Sequence, residues 1–420
     1  MQSKEYFIEQ LKLECQKFLG YRIQNHSDIL NLEIVLNENS NEKISLSSLR
    51  RFFNFIPSTK ANNRTLNQIA IALGFQSFSD FCRKNNYATG WAYNDRLVAI
   101  EQSAQLTPED FNFLLGHKRG TYFHFGYFLY QLLLKQKFQL LNLIFKYEAL
   151  FPESGDTPGE ISDLLGIGLR QLDEAGLNKL VPYLDTNYNL RVYLMYYFVD
   201  YSHFHSWYIF LLNNVKTPKK HDQLFRDLIK NLFAFYQNRP MESLPKVDLT
   251  EIHPILHGRY IGQRLLLGEV EDIIFSELKS DYDVQSYFYE IFPMLIVLKR
   301  FEQIEKIEQH YYEILVTPAR TTFEDKKTIA LISFSFLNIH KKKFKEAKIN
   351  LSFVQPQRIL KSYKQYFELL RCIPLYHLAI HLRNINTAQA LLKEYKELAE
   401  RLKFPFFSED FLLNYFNSNQ

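Results

Sequence analysis

Glycine and proline are scarce in this 420-residue chain, with 14 of each. A turn-rich all-β fold needs more of both, so the composition points to an all-α protein. Cysteine is scarcer still. Cys15, Cys82 and Cys372 stand far apart, which excludes a disulfide framework and zinc spacing; reduced, buried thiols in a cytoplasmic protein are the expectation. The first ten residues have no apolar core, so no signal peptide is expected. Long apolar runs are missing too. The nearest is Val192–Leu212, but Asp200, His203 and His205 interrupt it and tyrosine is frequent in it. A buried helix pair fits it better than a membrane span.

Catalytic motifs are absent in the same way. The run L-G-I-G-L at 165–169 follows no strand-like segment and lacks the lysine of a phosphate loop. No G-x-S-x-G elbow occurs. His253/His257 and His377/His381 each place two imidazoles on one helix face, yet no third ligand completes a zinc site. His221-Asp222 resembles the H-D pair of metal-dependent phosphohydrolases, but His203 and His205 lie rather close upstream and no downstream aspartate is clearly placed. The expectation is no enzyme, no metal and no cofactor.

What is present is core-forming material and one concentrated charge. Hydrophobic residues make up 46% and aromatics 16%, enough for a sizeable interior; the length suggests about two or three domains. The formal charge is +4, unevenly spread. Residues 1–42 give −3, residues 85–420 give +1, and residues 43–84 give +6 from Lys43, Arg50, Arg51, Lys60, Arg64, Arg83 and Lys84 against Asp80. A concentrated positive charge on compact helices is what docking on DNA requires.

The spacing predicts five short helices in residues 1–87. The first is Lys4–Leu19, with Phe7, Ile8, Leu11, Phe18 and Leu19 at helical intervals. Ser27 and Asp28 are candidate caps for a second, Ile29–Leu36, and Asn37–Lys43 is a polar turn. Ser45 is the expected N-cap of Leu46–Phe55, and Pro57–Asn63 is a loop. Thr65 opens the next helix, Gly74 stops it, and Ser77 caps Phe78–Asn85. Residues 88–106 read as a junction, part loop and part helix, and residues 107–420 as helices with short polar breaks. In that last part a polar turn recurs before an apolar pair three residues apart: Phe138/Leu141, Val270/Ile273, Phe301/Ile304, Phe344/Ala347 and Ile385/Ala388. Its last four anchors are about 31, 43 and 41 residues apart. L-N-I-H-K-K-K-F-K-E-A-K-I-N-L resembles the turn and second helix of a tetratricopeptide repeat, although the spacing departs from that family's period. The resemblance implies a stack of helical hairpins; an irregular helical bundle is the alternative. The basic run His340–Lys348 falls on one such turn, where solvated lysine is ordinary.

Within the basic segment, Leu49, Phe52 and Phe53 share the core side of their helix, while Ser47, Ser48, Arg50 and Arg51 fall largely on the other. Thr65–Gly74, T-L-N-Q-I-A-I-A-L-G, resembles the helix that follows the reading helix in lambda-repressor-type helix-turn-helix domains. Ile44–Phe81 is similar to an N-terminal domain found in many bacterial proteins. On these resemblances Leu46–Phe55 enters the major groove, Ser45, Ser47, Ser48, Arg50 and Arg51 contact DNA, and Lys60 and Arg64 sit on flanking phosphates. The turn from Asn37 to Ile44 is longer than a tight helix-turn-helix and has no glycine. A second register resembles the arabinose-regulator type, makes Gln76–Lys84 the reading helix and leaves Arg83 and Lys84 as phosphate contacts. The functional expectation is a cytoplasmic DNA-binding regulator, homodimeric and not in a membrane, whose helical repeats sense a peptide, small ligand or protein. The alternative is an adaptor whose N-terminal domain docks protein. Burial of Arg50 and Arg51, or their pairing with Glu33, Glu38 or Glu42, would favour the adaptor.

Overall fold

The computed structural model describes residues 4–416 except 22, 24, 41, 57–61, 86, 104, 119–121, 152–157, 217–218, 249–251, 271–277, 279 and 317–324. Among the described residues the fold is all-α, with no strand. The chain divides into two compact units between residues 104 and 105.

Unit 1 contains α1 (Lys4–Leu19), α2 (His26–Glu38), α3 (Leu46–Phe52), α4 (Asn63–Ala72), α5 (Phe78–Lys84) and α6 (Tyr87–Gln102). The expected junction is thus helical over most of its length. Local chemistry moves several ends away from their sequence positions. The side chain of Asn25, not Ser27 or Asp28, caps α2; it accepts from the amides of both, and Asp28 accepts in return from the Asn25 amide, a capping box. Asn62 caps α4, whose first residue, Asn63, lies two residues ahead of the expected Thr65. Ser45 and Ser77 cap α3 and α5 as their spacing predicts. Helix α3 stops three residues short of Phe55 because Asn54 turns left-handed, φ 64°. The Phe55 amide then donates to Arg50 O at 2.8 Å and closes the end. Gly74, φ 89°, ends α4 in the same manner.

The core of unit 1 gathers Leu11, Ile29, Leu32, Leu36, Ile44, Leu49, Phe52, Leu66, Ile69 and Phe81. Ile44 sits there because Asn37 holds it. The Asn37 amide donates to Ile44 O at 3.0 Å and accepts from Ile44 N at 2.7 Å. That two-point clasp orders a long turn that lacks glycine.

Unit 2 contains α7 (Pro108–Lys118), α8 (Tyr122–Leu134), α9 (Phe138–Phe145), α10 (Pro158–Leu169), α11 (Glu174–Thr186), α12 (Tyr188–Arg191), α13 (Ile209–Asn214), α14 (Lys220–Tyr236), α15 (Pro254–Leu266), α16 (Asp281–Val297), α17 (Phe301–Val316), α18 (Asp325–His340), α19 (Phe344–Ser352), α20 (Lys364–His381), α21 (Ile385–Leu402) and α22 (Glu409–Leu413). Helices α16/α17, α18/α19 and α20/α21 form successive hairpins, and α18 packs against α16 and α20. Four of the five repeat anchors begin a helix: Phe138, Phe301, Phe344 and Ile385. Each follows a left-handed residue two positions earlier: Gln136, Lys299, Lys342 and Arg383, with φ between 53° and 59°. The next amide closes a Schellman turn, as when Lys343 N donates to Asn338 O at 2.7 Å. At the fifth anchor, Gly268 and Glu269 close the same turn before Val270, while Ile273 lies outside the described residues.

The stretch 192–212 is not the helix pair its composition suggests. Wide π-type turns at Val192–Tyr196 and Phe204–Tyr208 flank irregular residues and a short 3-10 turn. The break lets Asp200 meet Arg170, whose Nε and Nη2 donate to its carboxylate at 2.8 and 2.9 Å. No described helix is long and apolar enough to cross a membrane. Helix α15 lies close against α16 at Gly258, where a Cβ would stand 2.2 Å from Tyr287 O. Beside that contact, buried Arg259 donates to Glu290 at 2.7 and 3.2 Å, and Tyr363 donates to the same carboxylate at 3.0 Å. A second buried pair joins Arg191 to Asp222 at 2.9 Å.

Candidate nucleic-acid interface

The capped start of α3 gathers hydroxyls. Ser45 Oγ lies 3.1 Å from Ser47 Oγ and 2.9 Å from Ser48 Oγ, and it accepts from the Ser48 amide. Hydroxyls and free amides at a helix start suit phosphate oxygens. Lys43 precedes them, exposed. Arg51 is exposed one turn further on. Arg50 departs from the helical-wheel expectation: it is half-buried, and its Nε is enclosed without a hydrogen-bond partner among the described residues. Neither arginine makes an ion pair with Glu33, Glu38 or Glu42 among the described residues.

Glu42 turns instead toward α4. It accepts from Gln68 Nε2 at 2.8 Å and lies 3.7 Å from Arg64 Nη2. This contact brings exposed Arg64 beside the turn that leads into α3, so Arg64 and the serine cluster flank the same loop. Lys60 lies outside the described residues. A basic residue missed in the sequence reaches the start of α4: Lys4 Nζ donates to Asn63 Oδ1 at 2.6 Å. Lys4 lies in the acidic first segment, 59 residues away, and no local pattern announces it.

Arg83 and Lys84 differ from the other cations. Both bind Asp80, at 2.8 and 2.9 Å. The hydrogen bond from Lys84, the Gln76 amide and then Arg83 hold the Asp80 carboxyl down to about 2. Asp80 also anchors α5, so these two charges are partly spent within the fold.

The paired histidines make capping, hydrogen-bond and stacking contacts. His253 caps α15 through Nδ1, which accepts from the Ile255 amide, and His257 lies edge-on to Tyr287. His377 Nε2 donates to Leu412 O at 2.8 Å, while His381 stacks on Phe344. Burial holds His253 and His377 below the usual imidazole value. Asp222 of the H-D pair is engaged by Arg191. No cluster of histidine, cysteine or acidic residues fit for a metal ion occurs among the described residues. Cys15 and Cys372 are buried, and burial pushes the Cys372 thiol up to about 12. No protein-family model, no curated protein and no solved structure matches the chain.

Proposed function

We propose that this protein is a DNA-binding regulator whose N-terminal unit docks on the duplex through the start and exposed side of α3. The observation that carries this reading is the grouping of Ser45, Ser47, Ser48 and Arg51, which makes no ion pair among the described residues, with Arg64, on the segment that holds more than the chain's whole positive excess. Arg51 is suited to a guanine edge or a phosphate, and the hydroxyls to backbone oxygens. Arg64 and Lys4 are flanking phosphate contacts. Arg83 and Lys84, tied to Asp80, rank below them. Unit 2 receives the signal, and dimerisation sets the spacing of two reading helices.

The test is duplex binding by the full chain across a salt series, against Arg50→Ala/Arg51→Ala. A log–log slope of several units is expected, shallower by about one per lost phosphate contact in the variant. Binding that the double substitution leaves intact, or no binding at low salt, rejects the reading.

The adaptor reading keeps one specific support. Leu30 and Ile34, one turn apart on α2, are exposed, and exposed aliphatic pairs suit a protein surface better than a phosphate backbone. Loss of a protein partner, with DNA binding unchanged, on Leu30→Ser/Ile34→Ser would favour it.

A further inference from the structure

Two successive hairpin turns of unit 2 share a contact that the next one lacks. Phe301, at the start of α17, stacks on His340, the last residue of α18, at 4.1 Å between ring centres. Phe344, at the start of α19, stacks on His381, the last residue of α20, at 3.5 Å. Each anchor is thus covered by the end of the next long helix, and neighbouring turns are pinned side by side. Ile385, the equivalent anchor of α21, is 57% exposed, with Leu382 beside it at 60% and Ile380 at 44%. This is more than an unfinished end. Elsewhere α21 turns Lys393, Glu394, Lys396, Glu397, Glu400 and Arg401 outward, the polar coat of a capping helix. Apolar exposure on this hairpin is confined to its turn.

A basic edge adjoins that turn. Lys342, Lys343, Lys345, Lys348 and Arg383 are exposed and make no ion pair among the described residues, with Glu346 as the acid between them. Lys341 is engaged by Glu305. Schellman closures at Lys342 and Arg383 hold both turns in fixed geometry. The face formed by α14, α16, α18 and α20 is already taken by the chain's own C-terminal segment. Phe406 N donates to Tyr236 O, Tyr415 Oη to Ile296 O, and Tyr415 packs on Phe336.

We propose that the paired turns α18–α19 and α20–α21 dock an acidic segment of a partner protein that carries aliphatic or aromatic side chains. Leu382 and Ile385 receive the apolar side chains, and Lys343, Lys345 and Arg383 face the carboxylates; charge complementarity sets the register. A nucleic acid fits less well. The exposed apolar groups of the turn, Leu382 and Ile385, are aliphatic and give bases no ring to stack on. The inference names the partner chemistry of unit 2 and does not require unit 1 to bind DNA.

The test begins with a random peptide-display library selected on the full-length protein. An enriched peptide is then labelled and titrated by fluorescence anisotropy. Enriched sequences should combine Asp and Glu with Leu, Ile, Phe or Trp. Leu382→Ser/Ile385→Ser and, separately, Lys343→Glu/Lys345→Glu should each weaken binding by roughly tenfold or more, with unchanged circular dichroism and melting. Arg50→Ala/Arg51→Ala should bind the peptide like wild type, which separates failure here from failure of the DNA reading. Selection of non-acidic peptides, selection of none, or equal binding by both variants overturns the proposal. So does displacement of the peptide from the Arg50→Ala/Arg51→Ala variant by duplex DNA or by phosphatidylserine vesicles at equal charge.

Discussion

Arg51 and Arg64 in unit 1 do opposite work to Arg191 and Arg259 in unit 2. In unit 1, Arg51 and Arg64 lie at the surface, and Arg64 meets its nearest carboxylate at a loose 3.7 Å. In unit 2, Arg191 and Arg259 are enclosed and pair with Asp222 and Glu290 at 2.9 and 2.7 Å. The surface group contributes little to stability and is free to meet another molecule. The interior group is bound to its partner, because an unpaired charge there is too costly to keep. Burial, not residue type, divides arginines that serve the fold from those available for recognition.

The sharpest break of that comparison is Arg259→Ala. It strands Glu290 and Tyr363 in the interior and should cost about 3–5 kcal/mol, read by denaturant unfolding, whereas Arg51→Ala should stay within about 0.5 kcal/mol. Equal effects would mean that the interior pair is not what distinguishes the units.

A smaller effect with the opposite sign is expected at Asp163. Burial raises its carboxyl from 3.8 to about 6, although it accepts from the Lys361 amide and lies near Arg170. A raised acid favours the folded state only while protonated. Its contribution is therefore lost as pH climbs from 3.8 toward about 6 and stays lost above. Asp163→Asn should raise stability by roughly 1–3 kcal/mol near neutral pH and change little below about pH 4. Melting curves across pH check it.

Lys342→Gly tests the turns. A left-handed lysine is strained where glycine is not, so the variant should gain up to about 1 kcal/mol, seen as a higher melting temperature. The smallest effect is expected in unit 1. The Asp80 carboxyl is depressed, so its stabilising contribution is complete above the ordinary value of 3.8 and fades as pH falls toward about 2. Asp80→Asn should be less stable than wild type at neutral pH, with the gap closing in acid. A gap that persists at low pH would show that Asp80 acts through packing and not through its charge.

Much of unit 1 was legible because its signals are local. Ser45, Ser77 and Gly74 each act on residues within one turn, and Leu66, Ile69 and Ala70 mark the buried face of α4 by spacing alone. The misplaced ends have local causes too, but weaker ones: Asn25 and Asn62 compete as caps with serine and threonine a few residues on, and Asn54 turns left-handed without being glycine. The repeat anchors were legible as positions. Their turns were less so, because Gln136, Lys299, Lys342 and Arg383 are not residues that advertise a left-handed backbone. Of the candidate interface, the charge was legible, and so was the hold of Asp80 on Arg83 and Lys84, three and four residues on along one helix; the half-burial of Arg50 and the reach of Glu42 to Arg64 were not.

The sequence by itself determined the helical class, the Ser45 and Ser77 caps, the basic segment and the apolar residues that begin the hairpins, because each depends on contacts a few residues apart. Tertiary structure alone decided that Glu42 brings Arg64 beside the turn into α3, that Lys4 reaches Asn63, and that Arg259 meets Glu290. It also left Ile385 uncovered beside a basic edge. Those outcomes depend on which distant surfaces the packed helices bring together, and a linear pattern does not carry that information.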